Sequence, residues 1–192
     1  MEQNDTFGDL EPFTTDRLLL RGLMIEDSEA LHALKTDPDV TRLYGEVPYV
    51  SIEQTRTWVQ ECIDGLKGRE VIVWAIVLRA TGTPIGMVCY WHIDHQDHHA
   101  ELGYELAHDH WHKGMMSEAL PPIISYGFDV LGLHRIEATP LAMNEASQRL
   151  LERNGFRKEG NLRDRIYFDG KFYDELYYAL LKEQSTDLKT VN

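Results

Sequence analysis

Two cysteines in 192 residues, Cys62 and Cys89, are too few for a disulfide scaffold, so both are expected as thiols in a cytoplasmic protein. No uninterrupted apolar run approaches the roughly 20 residues that a membrane span requires. The start, Met-Glu-Gln-Asn-Asp, lacks the positive and then apolar pattern of a secretion signal. Basic residues are scarce: 19 Lys and Arg stand against 32 Asp and Glu, a formal charge of −13. That balance opposes direct nucleic-acid binding and favours cationic partners, although solubility alone explains it equally well. No repeat or low-complexity tract interrupts the chain. Neither a membrane nor a nucleic acid is an expected partner.

At 22.2 kDa the chain suits one domain with a complete core. A polar arm is expected over 1–13, a single domain over 14–182 and a polar tail over 183–192. A first strand reads from Arg17 to Leu23, then a helix from Glu26 to about Lys35 that Asp37-Pro38-Asp39 interrupts. Ser51-Ile52-Glu53-Gln54 resembles a capping box that opens a helix to about Leu66, with Trp58, Cys62 and Leu66 on one face. Val71 to Leu78 and Ile85 to Ile93 flank a Thr-Gly-Thr-Pro turn and predict a hairpin. Ala100, Leu102, Tyr104 and Leu106 then alternate with Glu101, Gly103 and Glu105, giving the next strand two different faces. A helix from about Met115 to Phe128, a strand around Arg135 to Thr139 and a helix from about Asn144 to Asn154 follow. Asp169-Gly170, between Arg163–Phe168 and Phe172–Leu180, is the strongest hairpin signal. The fold class is α/β (α+β): the early strands antiparallel, with one crossover long enough to be parallel.

The most informative stretch runs from His110 to Ala119, His-Trp-His-Lys-Gly-Met-Met-Ser-Glu-Ala, which joins a strand to a helix through a narrow turn. Backbone N–H groups at a helix start are unpaired, so several converge on one phosphate, with the helix dipole and Lys113 adding positive potential. A diphosphate cofactor is the expected ligand. Pro121-Pro122 inside the same helix removes two donors and favours a bend after its first turns.

Three ordered motifs carry a resemblance: Glu101-Leu102-Gly103-Tyr104-Glu105-Leu106, Trp111-His112-Lys113-Gly114-Met115-Met116-Ser117-Glu118-Ala119, and Asn144-Glu145-Ala146-Ser147 leading to Glu152-Arg153-Asn154-Gly155-Phe156. Together they resemble the GCN5-related N-acetyltransferase (GNAT) family, and more closely its branch that acetylates ribosomal-protein N-termini. The resemblance implies a mixed, mostly antiparallel twisted sheet of about seven strands flanked by helices, with the fourth and fifth strands splayed. It implies acetyl-CoA (coenzyme A) as cofactor, its pyrophosphate against His112, Lys113, Gly114, Met115, Met116 and Ser117 and its pantetheine arm along Leu106 and Ala107. Asn144 and Ser147 match positions near the pantetheine and the sulfur. The family's usual Gln or Arg is Trp111 here, and His112 stands where many relatives have Gly. The tyrosine that many relatives place seven residues after the asparagine is Leu151, which leaves protonation of the departing thiolate to Ser147 through water, to another tyrosine, or to no group.

The implied reaction is direct transfer of acetyl to an amine in a ternary complex, without an acetyl-enzyme. An amine attacks only when deprotonated, and Glu101 is the favoured proton acceptor. Glu105, on the same strand face, is assigned to binding a cationic acceptor rather than to catalysis. Tyr44 and Trp91 are expected to wall the acceptor cavity, and Tyr104 to pack or reach its rim. His92, His95, His98, His99, His108, His110 and His112 lack a recognised metal-ligand spacing, so no metal is expected. Arg135 and Arg149 are read as surface ion pairs or as contacts to the adenosine 3′-phosphate. The expected acceptor is an amine-bearing peptide, protein or small molecule, with a protein N-terminus first and a polyamine second. A non-catalytic acyl-CoA sensor is the alternative from another class, and the resemblance is compatible with a monomer or homodimer.

Overall fold

The computed structural model describes residues 10–68 and 70–188. Most of the expected arm, with Phe7, and the end of the tail lie outside the described residues. Eight strands form one sheet: β1 (Phe13–Thr14), β2 (Leu18–Gly22), β3 (Ile72–Leu78), β4 (Pro84–Asp94), β5 (His99–Leu106), β6 (Arg135–Ala138), β7 (Arg157–Phe168) and β8 (Lys171–Leu181). Their order is β1-β2-β3-β4-β5-β6-β8-β7, and among the described residues only β5 and β6 run parallel. The helices are α1 (Ser28–Thr36), α2 (Pro38–Thr41), α3 (Ile52–Gly68), α4 (Met115–Asp129), α5 (Glu145–Arg153) and α6 (Lys182–Leu188). Among the described residues no helix is long and apolar enough to cross a membrane.

The sheet is covered on both faces, and the period of two along β3 and β4 sorts their side chains between two cores. Ile72, Trp74, Ile76, Val88 and Tyr90 pack with Leu120 and Ile123 of α4. Val73, Met87 and Cys89 face the other way, toward Cys62 and Trp58 of α3. The capping-box expectation at α3 is met in half: Gln54 Oε1 accepts from the amides of Val50 (2.7 Å) and Ser51 (3.2 Å). Asp37-Pro38-Asp39 does more than interrupt α1. Asp37 accepts from the Asp39 amide at 2.8 Å and Pro38 takes the first helical position, so the breaker also starts α2. The final hairpin turns as expected at Asp169 and Gly170, both with positive φ (48° and 74°). Its first strand begins at Arg157, six residues before Arg163, because bulges at Lys158/Gly160 and Leu162/Ile166 break the alternation.

The feature that positions the site is the short parallel pairing of β5 with β6. It holds only His99–Glu101 against Arg135–Glu137. Beyond Glu101 the strands separate. After Ala138 the chain meets Pro140, which has no amide to give a ladder. It follows β8 instead: the Pro140 carbonyl accepts from Leu176 (2.9 Å), the Ala142 amide reaches Asp174 (2.9 Å), and Leu141 bridges Glu175. The β5 edge from Leu102 onward is left without a strand partner.

On the α4 side, the helix runs uninterrupted through Pro121 and Pro122, its seventh and eighth residues. The carbonyls that lose their donors are those of Ser117 and Glu118, so the first-turn amides are untouched. The start of α4 is tied to the strand-β2 edge by Glu118, which accepts from Thr15 Oγ1 (2.5 Å), the Arg17 amide (2.8 Å) and Arg17 Nε (2.6 Å). Burial alone raises the Glu118 carboxyl, but the Thr15 and Arg17 bonds outweigh it and hold it below its ordinary 4.5. A carboxyl depressed in the folded state stabilises above its unfolded pKa, and that contribution is lost as pH falls through the folded value. Glu118→Gln should therefore lower Tm at pH 7 by roughly 2–4 °C, a cost of about 1 kcal/mol for a partly exposed network. Melting curves of the two proteins should converge as pH falls below 4.5 and through the lower folded value, where the carboxyl takes up its proton.

Candidate active site

The gap between β5 and β6 opens into a cavity of about 910 Å³, near the top of the roughly 300–1,000 Å³ range of small-molecule sites. It is lined from both faces of the sheet. Leu102, Tyr104, Met116 and Ser147 border it on the α4–α5 side, and Glu101, Gly103, Glu105 and Trp58 on the α1–α3 side. Two molecules approaching from opposite faces would meet in the gap.

On the first side, Gly114 caps α4 with φ 75°. The turn before it also places His112 at φ 58°, a left-handed value that a histidine adopts at a cost and that glycine adopts freely. Among the described residues no acceptor pairs with the amides of Gly114, Met115, Met116 or Ser117, while the Glu118 amide already bonds Gly114 O at 3.1 Å. These free donors and His112 border the cavity, a cradle that fits a diphosphate. Lys113 does not border it; its carbonyl accepts from Arg17 Nη1 at 2.9 Å. Ala107 is also set aside, because its amide bonds Ile85 O and its carbonyl accepts from His110, both at 2.8 Å. Leu106 borders the cavity but gives its carbonyl to Trp111 Nε1 at 2.7 Å. Gly103 and Glu105, in step with Ala107, turn their backbone groups to β4, so the open edge is centred on Tyr104, a few residues earlier than expected.

On the α5 wall, Asn144 Oδ1 accepts from the Ser147 amide at 3.1 Å, so the expected N-cap is present and the residue also borders the cavity. Ser147 Oγ lies 2.7 Å from Tyr104 Oη. Burial pushes the Tyr104 hydroxyl up, with the Ser147 bond opposing, so it stays protonated. The alternation of β5 placed Tyr104 on this face; its pairing with a serine 43 positions away had no local signal.

On the opposite wall, Glu101 is held at two points: Oε1 accepts from Thr139 Oγ1 at 2.6 Å, and Oε2 lies 3.1 Å from His92 Nδ1. Glu175 of β8 borders the same space. Burial raises its carboxyl, Arg165 opposes and Glu101 adds to the rise. Trp91 packs under Gly103, where a Cβ would meet its ring at 2.7 Å. Deeper in, Lys35 Nζ lies 2.6 Å from Glu105 Oε1, with both side chains almost fully buried. The Tyr44 hydroxyl adjoins that carboxylate. Glu105, Tyr44 and Trp91 therefore all reach the cavity, but Glu105 meets a lysine of its own chain there. Lys35, Glu175, Thr139 and Trp58 escaped sequence reasoning because each comes from an element distant in the chain.

The remaining candidates lie elsewhere. Arg135 pairs with Glu137 and Glu159, and Arg149 with Glu145. The basic residues at the cavity are Arg153, on the α5 wall, and Lys35 beside Glu105. Of the histidines, His108 stacks on Trp111 and His92 meets Glu101. His99, Asp94 and Asp97 bring one ligand atom each within 4.8 Å outside the cavity. Neither cysteine borders it, and burial pushes both thiols up, that of Cys62 to about 12.

Residues 17–157 match the family described as Acetyltransferase (GNAT) domain. The uncharacterized N-acetyltransferase YoaA of Bacillus subtilis is 40% identical over 168 residues, spanning 88% of this chain and 95% of that protein. The GNAT-family acetyltransferase from Bacillus anthracis superposes with a TM-score of 0.79 at 31% identity, covering 90% of this chain and 99% of its own. Spermidine N-acetyltransferase from Vibrio cholerae, solved with CoA and spermine, has a TM-score of 0.81 at 23% identity and covers 90% of this chain and 99% of its own. A ribosomal L7/L12 α-N-protein acetyltransferase solved with coenzyme A has a TM-score of 0.78 at 23% identity and covers 89% of this chain and 98% of its own. These last two share the fold alone. The similar proteins span ribosomal, spermidine and uncharacterized branches, so the ribosomal branch suggested by the motifs is not singled out.

A Cβ at Gly114 would meet only Arg17 Nη2, at 3.5 Å, so space is not what requires glycine there; the backbone conformation is. Gly114→Val should weaken coenzyme A binding by tenfold or more, a backbone strain of about 1–2 kcal/mol for an L residue at positive φ. Calorimetry with coenzyme A checks this, and equal affinity in the variant would refute the cradle.

Proposed function

This chain belongs to the GNAT acetyltransferase family and is an acetyl-CoA-dependent N-acetyltransferase, and on that premise we propose that its acceptor is a protein or peptide N-terminal amine. Acetyl-CoA supplies the acetyl group as a thioester. The amides of Gly114 to Ser117 would hold the diphosphate, and the open backbone edge at Tyr104 would receive the pantetheine amides as an added strand is received. The acceptor comes from the opposite face, past Tyr44 and Trp91. Supply of the cofactor and the reduced thiols fit a cytoplasmic setting.

The observation that carries the reading is the position of Glu101, the last paired residue before β5 and β6 separate, with its carboxylate fixed by Thr139. There it takes the proton from the attacking amine, directly or through one water. Meeting the thioester in a fixed approach replaces a bimolecular encounter. On the cofactor side, the Tyr104–Ser147 pair holds hydroxyl protons for the departing thiolate, a role that Leu151 cannot fill. With both cysteines buried away from the cavity, transfer is direct from thioester to amine in a ternary complex. A polyamine acceptor is the second reading, supported by the carboxylates of Glu101 and Glu175 at the acceptor mouth.

Glu101→Gln should lower kcat by about 10²–10⁴ while leaving coenzyme A affinity unchanged. Thiol release with a panel of free and N-blocked peptides reads both the base and the acceptor. Unchanged turnover would remove Glu101 as base, and equal rates with blocked peptides would remove the N-terminal amine.

A further inference from the structure

The acceptor side of the cavity contains an arrangement made for a cation, and the chain fills it with its own side chain. Lys35 Nζ sits 4.3 Å from the Trp58 ring centroid, 5.4 Å from Tyr44 and 6.0 Å from Tyr49. With Glu105 against it, this is the aromatic and acidic surround that recognises ammonium groups. Burial works against the Lys35 charge, but Glu105, then Glu46 and Tyr49, outweigh it and raise its pKa. The ammonium persists.

The same spot contains polar atoms with no completed bond. Neither Glu105 oxygen nor the Tyr44 hydroxyl completes a hydrogen bond of good geometry, although Lys35 and Tyr44 both stand against the carboxylate. Buried acceptors without donors are costly. Because Lys35 already neutralises the carboxylate, a second ammonium arriving there meets like charge, whereas a neutral N–H or O–H completes the missing bonds without adding charge. Glu101 and Glu105 are four residues apart on β5, about 13 Å along the strand, so an acceptor that reaches from one to the other carries its second polar group many bonds beyond the reacting amine.

We propose that Lys35 is a resident cation that sets acceptor choice, so that the group carried beyond the reacting amine is a neutral hydrogen-bond donor, an amide N–H or a hydroxyl, and not a second ammonium. This rests on the N-acetyltransferase reading of the same site and separates peptide-like acceptors from polyamines.

The test uses matched pairs, α,ω-diamines against amino alcohols of four to eight carbons, as acceptors and as competitors of the peptide acceptor, so that a compound not turned over still reports binding. In the wild type the best amino alcohol should exceed its matching diamine at least tenfold in kcat/KM or in inhibition. Lys35→Met, which leaves Glu105 for an incoming cation, should reverse that order. Lys35→Met/Glu105→Gln removes both charges, avoids an unpaired buried carboxylate and should not gain the diamine. A wild type that prefers diamines, a Lys35→Met variant that keeps the wild-type order, or a double variant that gains the diamine as Lys35→Met does, overturns the proposal with the enzyme still active. Coenzyme A binding without acetyl transfer to any peptide or amine would instead overturn the acceptor reading itself, and this inference with it.

Discussion

The separation of β5 from β6 after a three-residue parallel pairing is the constraint on which the site depends. A sheet interior normally satisfies every backbone group across its ladders. Here Pro140 and the attraction of residues 140–142 to β8 pull the chain away, leaving part of the β5 edge for a ligand. The gap also joins two faces that the sheet otherwise keeps apart. That is why the diphosphate cradle at α4 and the carboxylate of Glu101 serve one cavity although they arise on opposite sides. Anchors on either side preserve the geometry: Thr15, Arg17 and Glu118 fix the start of α4, and Thr139 fixes Glu101.

Charge within the cavity follows a division of labour. Unpaired amides and Arg153 border the cofactor side, suited to anions, and carboxylates border the acceptor side. The net charge of −13 points to a cationic acceptor when read from composition alone. The buried pairing of Lys35 with Glu105 changes that reading, because the deepest carboxylate is already neutralised by the chain. Net charge constrains the approach of a molecule; the local pairing constrains which of its groups is received.

Much of this was legible wherever one local rule governs the residues. Alternation along β5 separated Glu101 and Glu105 from Leu102 and Tyr104, and a lone glycine before an apolar helix marked the anion turn. Asp169-Gly170 marked its hairpin. Failures arose where tertiary contacts override or join distant segments. Lys35 is 70 positions from Glu105, and nothing in the pattern of α1 marks a helix lysine as buried. The start of β7 was missed because two bulges erase its period. Ala107 and Lys113 fit a motif by alignment, yet the first spends both backbone groups within the protein and the second points its carbonyl at Arg17. At His112, which stands where many relatives have Gly, the structure shows the positive φ that a glycine would adopt freely.

Backbone amide hydrogen exchange with and without coenzyme A tests the central claim most directly, since it reports the same N–H groups that the strand separation and the α4 turn leave open. Protection should rise at two places remote in sequence, the amides of Tyr104 and Leu106 on β5, which turn away from β4, and 114–117 at the start of α4, with little change along the paired strands β2 and β3. Binding that protects neither segment, or that protects residues outside this gap alone, would contradict the account.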